Sequence, residues 1–159
     1  VYSFEPNPVL RGIGLRSLQM NKNYIGRIEI LPFGVSGKPS GNALLSLEDQ
    51  RSRVGAWNAE DPSFTEIQVT SLDRVVADRN IPKVDFIKMD IEGSELAALE
   101  GATETIARFK PRLAICVYHK PEDMLEIPRF IAGLDAGYRF YLKHHSPFLS
   151  ETVLYATSE

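Results

Sequence analysis

The apolar positions along this chain change their spacing several times, and each change marks a new element. Val1 to Phe4 reads as a short strand. Asn7 before Pro8 is a helix-start signal, because the amide oxygen can cap and proline suits the first turn. Leu10, Ile13, Leu18 and Met20 then fall near helical spacing, which predicts a helix ending by Asn21 to Asn23, weakened by Gly12 and Gly14. The alternation from Arg27 to Ile30, continuing to Val35, predicts a strand. Gly34, Gly37, Pro39 and Gly41 mark turns. Residues 42–64 carry the weakest pattern: Ala43 to Leu47 fits a short strand and Trp57 to Phe64 a loop. Ile67 and Val69 alternate as a strand does, and Ser71 caps a short helix through Val76 and Ala77.

The second half is patterned more strongly. Val84 to Met89 is a compact strand-like run ending in Asp90-Ile91-Glu92-Gly93-Ser94. Helical spacing resumes with Leu96, Leu99, Ile106 and Phe109, with a break near Gly101. Leu113 to Val117 is apolar throughout, as expected of a parallel strand covered on both faces. Pro121-Glu122-Asp123 opens a helix whose buried side is Ile127, Phe130, Ile131 and Leu134, and Gly137 closes it. Tyr138 to Leu142 and Thr152 to Ala156 form a last strand pair. This succession predicts an α/β fold, a mostly parallel sheet with a C-terminal antiparallel strand pair, in one domain spanning residues 1–159.

Composition adds little that would redirect this picture. Hydrophobic residues at 43% and charged residues at 25% over 159 positions are ordinary for a globular domain able to bury a core. A formal charge of −3 supplies no positive field, so neither nucleic acid nor a membrane surface is an expected partner. The single cysteine, Cys116, forbids an internal disulfide and suits an inert place in its apolar strand. A cytoplasmic location is expected. The chain opens on Val1, directly inside a strand-like run, which is expected of a fragment or a processed product.

In open α/β sheets ligands bind beyond the carboxyl ends of the strands. That rule selects Glu5, Asp90 with Glu92, Tyr118-His119, and the segment after Phe33 that holds Gly34 and Ser36. Glu5 can accept two hydrogen bonds from a ribose diol, or simply serve the start of the helix behind it. Asp90 and Glu92 can orient a substrate hydroxyl, accept its proton or share a hard cation, and they can equally cap the helix near Ser94. His119 can act as a general base near neutral pH or be structural. His144 and His145 sit in a turn between the last two strands, where solvent is the expected neighbour. No tight ligand spacing joins Asp90, Glu92, His119 and His144, so no metal is expected.

Four stretches together resemble one family. Val1-Tyr2-Ser3-Phe4-Glu5-Pro6-Asn7-Pro8 resembles the second-strand motif of the FkbM-type S-adenosylmethionine-dependent methyltransferases. Val84-Asp85-Phe86-Ile87-Lys88-Met89-Asp90-Ile91-Glu92-Gly93-Ser94-Glu95 resembles their central signature, which reads much like DFIKiDvEGaE. Tyr118 to Asp123 and Gly137 to His145 resemble the later part of one branch. The resemblance implies a Rossmann-like class I methyltransferase fold lacking the first strand and its glycine-rich loop. It also implies S-adenosylmethionine as cofactor, held by Glu5, Asn7, Ser36 and Asp90. Asp90, His119 and Glu92 become the catalytic candidates, with Asp90 the first choice of base. The implied reaction is O-methylation of a hydroxyl on a sugar, glycan or small natural product. The missing strand normally lies between those ending at Phe4 and near Met89, so three outcomes are open: direct pairing of these two, another chain such as a homo-oligomer partner completing the sheet, or further sequence upstream of Val1 that supplies the strand. The alternative function is a catalytically inactive, self-associating binding or structural module. A metal-dependent enzyme of another kind, built on the carboxylates and histidines, is the third.

Overall fold

A computed structural model describes residues 1–46, 54–55, 63–148 and 150–158 of the chain. Its elements are β1 (Tyr2–Phe4), α1 (Pro8–Met20), β2 (Glu29–Leu31), β3 (Gly34–Val35), β4 (Ser40–Ser46), β5 (Val54–Gly55), β6 (Phe64–Thr70), α2 (Leu72–Asp78), β7 (Phe86–Met89), α3 (Glu95–Glu100), α4 (Thr103–Phe109), β8 (Arg112–Cys116), α5 (Asp123–Gly133), β9 (Arg139–His144) and β10 (Thr152–Thr157), with a 3-10 turn at Lys22–Tyr24. The α/β class is as expected. Most of the loop expected over Trp57 to Phe64 lies outside the described residues, and Phe64 itself begins β6.

The sheets are mixed, and the C-terminal strand pair β9–β10 is antiparallel as expected. The described strands form three separate sheets with orders β1-β2, β7-β8-β10-β9 and β3-β6-β4-β5. The pairs β1-β2, β3-β6 and β7-β8 are parallel, while β10 runs antiparallel to β8 and β9, and β4 to β5 and β6. The strand expected from Arg27 to Val35 is broken at Pro32-Phe33, and its halves join different sheets. Pro32 has no N–H to give a ladder, so a strand is readily interrupted there. Beyond the break, Gly34 pairs with Val69 and Val35 with Thr70.

The core sits around the β7-β8-β10-β9 sheet. Ile87 and Met89 of β7 register with Leu113 and Ile115 of β8, and Ile115 registers with Leu154 of β10. Ala98, Leu99 and Ile106 from α3 and α4, with Ile127 and Ile131 from α5, complete the same buried cluster. The helix break expected near Gly101 is present, and its cause is close packing. A Cβ at Gly101 would overlap the Ser36 carbonyl oxygen, so only glycine lets the α3–α4 corner lie on the segment after β3. Asp73 adds a polar tie, its carboxylate accepting from the Glu104 and Thr105 N–H groups that open α4.

β1 and β7 do not pair with each other. Among the described strands, β1 pairs with β2 and β7 with β8. Between their facing edges runs a cavity of about 780 Å³ lined by residues of both strands, among them Tyr2, Phe4, Phe86 and Asp90, together with Val35 and Leu72. No described helix is long and apolar enough to cross a membrane.

Candidate functional site

Two parallel-strand ends build the principal site. β7 ends at Met89, and the chain turns through Asp90, Ile91, Glu92 and Gly93 into α3. The turn is tight: Glu92 adopts φ of 56° and Gly93 φ of 92°, both in the left-handed region. Glycine takes that conformation freely, whereas a glutamate there costs about 1–2 kcal/mol. A Cβ on Gly93 would stand 3.0 Å from Lys120 Cε and 3.6 Å from His119 Cβ, so Gly93 also lets the loop after β8 come close.

That loop delivers Tyr118 and His119. The Tyr118 hydroxyl donates to Asp90 Oδ1 at 3.1 Å. His119 Nε2 faces Asp90 Oδ1 at 3.6 Å and Glu92 Oε2 at 3.5 Å, and the side chain is only 5% exposed. Behind the ring, Nδ1 lies 2.8 Å from Glu95 Oε1. Neither ring nitrogen has an aligned hydrogen-bond partner. Glu95 is fully buried; its Oε1 accepts the Ile91 N–H at 2.8 Å and thereby holds the turn that carries Asp90 and Glu92.

The local electrostatics follow from burial beside carboxylates. Burial pushes the Cys116 thiol up to about 12, and nearby Asp90 adds to the shift. Cys116 is therefore a neutral thiol at physiological pH, in keeping with the inert role expected of it. Burial and Asp90 also raise Tyr118, which stays a hydroxyl donor. Asp123, next to the same corner, is raised by burial and by Glu95, while the Lys120 N–H that it accepts opposes the shift.

The structure thus gathers Asp90, Glu92 and His119, named from the sequence on separate grounds, into one cluster. His144 and His145 are elsewhere, bonded to Thr152 Oγ1 and Tyr155 OH on the β9–β10 hairpin. Glu5 follows cavity-lining Phe4, and its Oε1 accepts the Asn7 N–H at 2.9 Å, the helix-start arrangement. The Asn7 side-chain oxygen caps α1 through Val9 N–H and Leu10 N–H. Ser36 follows cavity-lining Val35, and its hydroxyl turns onto Lys38. Asp90 is the one of these residues that lines the cavity and also belongs to the cluster.

Sequence reasoning assigned no role to Glu95. Its place in the first turn of a helix is where carboxylates commonly occur, and nothing local distinguishes a buried Glu95 from a solvated one.

Residues 1–140 match the family model described as the methyltransferase FkbM domain. The chain belongs to this family. Among solved structures it is similar to the crystal structure of methyltransferase FkbM from Methylobacillus flagellatus KT. The identity is 31% and the TM-score 0.71, over 98% of this chain and 36% of that one. The chain therefore spans little more than a third of that FkbM protein. No curated protein sequence matches it significantly. The FkbM assignment agrees with the motif resemblance, and the mixed α/β architecture agrees with the fold that resemblance implies.

Proposed function

We propose that this FkbM-family chain serves an S-adenosylmethionine-dependent O-methyltransferase that acts on a hydroxyl of a sugar, glycan or small natural product. The observation that carries the reading is the position of Asp90, on the wall of a cavity of about 780 Å³ and within a cluster with Glu92 and His119. That volume lies in the range of ligand sites, roughly 300–1,000 Å³. The cofactor supplies an electrophilic methyl group when bound.

The chain's own residues bind and orient. Glu5 commits Oε1 to the Asn7 N–H, and its other oxygen is the candidate acceptor for a ribose hydroxyl. Asn7 contributes through its cap, which fixes the turn that carries Glu5. Ser36 belongs with the adenine end. Asp90, held by the Tyr118 hydroxyl, is the first candidate to take the acceptor proton, and His119 the second. A neutral alcohol is a weak nucleophile, and a base within hydrogen-bond reach typically contributes 10²–10⁴-fold.

The test is calorimetric titration of S-adenosylhomocysteine into the chain, paired with Glu5→Ala and with methyl transfer to hydroxylated acceptors. Saturable binding that weakens at least tenfold in Glu5→Ala supports the reading. A folded chain with no binding removes it. A second reading, a self-associating module, draws on the facing edges of β1 and β7, because unpaired strand edges invite pairing. Sedimentation showing a monomer that binds cofactor rules that module out.

A further inference from the structure

We propose that Asp90, Glu92 and His119 form a three-ligand site for a divalent transition-metal ion. Asp90, Glu92 and His119 each offer one ligand atom, and these atoms lie within 4.8 Å of one another. Nε2 stands 3.6 Å and 3.5 Å from the two carboxylate oxygens. Ligands about 2.1 Å from one ion stand about 3.0 Å apart at a right angle and about 3.4 Å apart in a tetrahedron. The two histidine–carboxylate spacings are within a few tenths of an ångström of the tetrahedral value, and the ligand atoms of all three residues lie within 4.8 Å.

The histidine is the independent observation. Its side chain is 95% buried, and Nε2 has no aligned hydrogen-bond partner while aimed between two carboxylates. A buried ring nitrogen left in that state is costly, because nothing replaces the water it gave up. A cation bound to the Nε2 lone pair removes the deficit and neutralises the facing carboxylates. Behind the ring, Glu95 Oε1 lies 2.8 Å from Nδ1. A carboxylate at that distance is placed to orient the ring once the two groups align, as carboxylates do in carboxylate–histidine–metal arrangements. The turn is rigidly built as well, because Glu95 also accepts the Ile91 N–H between the two acidic ligands.

Asp90 makes two further contacts. Tyr118 donates to Asp90 Oδ1 and occupies one of its lone pairs. Lys88 approaches the other oxygen, Oδ2, at 3.5 Å. Carboxylate, carboxylate and imidazole form a donor set that suits manganese or zinc, and three protein ligands leave at least one position open. On the function proposed above, an acceptor hydroxyl would take that open position beside the cavity wall at Asp90. That occupant rests on the methyltransferase reading, whereas the metal site stands on its own geometry.

The test is titration of the chain with manganese(II) alone, following loss of the free-ion paramagnetic resonance signal. One ion per chain is expected, with nitrogen hyperfine modulation from His119. Affinity should fall at least tenfold in His119→Ala and in Asp90→Asn. Glu95→Gln should weaken binding about 10- to 100-fold, since it alters the group orienting the imidazole. Glu104→Gln, an exposed carboxylate on α4, should leave it unchanged. Circular dichroism confirms that each variant is folded. Folded chain with no saturable manganese binding, or binding that a folded Asp90→Asn leaves intact, overturns the proposal. No nucleoside ligand is present, so this result is separate from that of the S-adenosylhomocysteine titration.

Discussion

Helices α1 and α5 are similar in length and both carry apolar residues at helical spacing, the pattern being stronger in α5, yet they end in opposite environments. α5 buries Ile127 and Ile131 completely against the β7-β8-β10-β9 sheet. α1 buries none of its residues, and Val9, Leu10, Ile13 and Leu15 remain exposed. The contrast extends to their strands: β8 carries four consecutive buried residues, while β1 carries none. Apolar spacing therefore fixes where a helix forms and which side is sticky, but not what covers that side. In this molecule the amino-terminal layer rests on caps and strand ends, and the carboxyl-terminal layer on close packing.

The sharpest way to break that comparison is a truncation in the packed layer. Ile115→Ala removes a fully buried side chain at the centre of β8. It is expected to cost about 4 kcal/mol in urea unfolding, from lost burial plus the cavity left behind. Gly101→Ala is next, at about 2–3 kcal/mol, since its methyl group would collide with the Ser36 backbone rather than with a movable side chain. A loss below 0.5 kcal/mol in chemical denaturation would mean that the α3–α4 corner yields.

Tyr138→Phe should cost about 1–2 kcal/mol, because the Pro111 carbonyl would lose the hydroxyl that donates to it at 2.6 Å. The variant also carries a pH signature. Burial pushes the Tyr138 phenol from 10.0 up to about 12, so the folded state keeps a proton that the unfolded chain releases. Its contribution is complete below pH 10 and is lost as pH rises towards 12. Alkaline unfolding curves should therefore be less steep in Tyr138→Phe across that window.

In the amino-terminal layer the effects should be smaller. Asn7→Ala removes the α1 cap and should cost about 1 kcal/mol by thermal melting. Ile13→Ala, at a half-exposed position, should change stability by less than about 0.5 kcal/mol. An Ile13→Ala loss as large as that of Ile115→Ala would show that α1 is covered in solution, for example by self-association, and would erase the distinction between the layers.

The candidate site was legible in part. Asp90, Glu92 and His119 stand out in the sequence because each follows an apolar strand, and strand ends are where α/β sheets hold ligands. Their convergence was not legible, since the 27 positions from Glu92 to His119 contain two helices and a strand whose packing sets the distance. Glu95 was overlooked for the same reason. A first-turn carboxylate looks alike whether it faces solvent or the back of a histidine ring. The break at Pro32 was available in principle, because proline cannot donate to a ladder. The alternation on either side of it nevertheless suggested one strand.

The sequence by itself determined the element order, the α/β class and the family motif, because period, caps and turn residues act over a few neighbouring positions. Only the tertiary structure decided that the strands divide among three sheets, that β1 and β7 face each other across a cavity, and that Asp90, Glu92, His119 and Glu95 share one corner. Those outcomes depend on contacts between residues far apart in the chain. Such contacts are set by the fit of packed surfaces, and no local pattern encodes them.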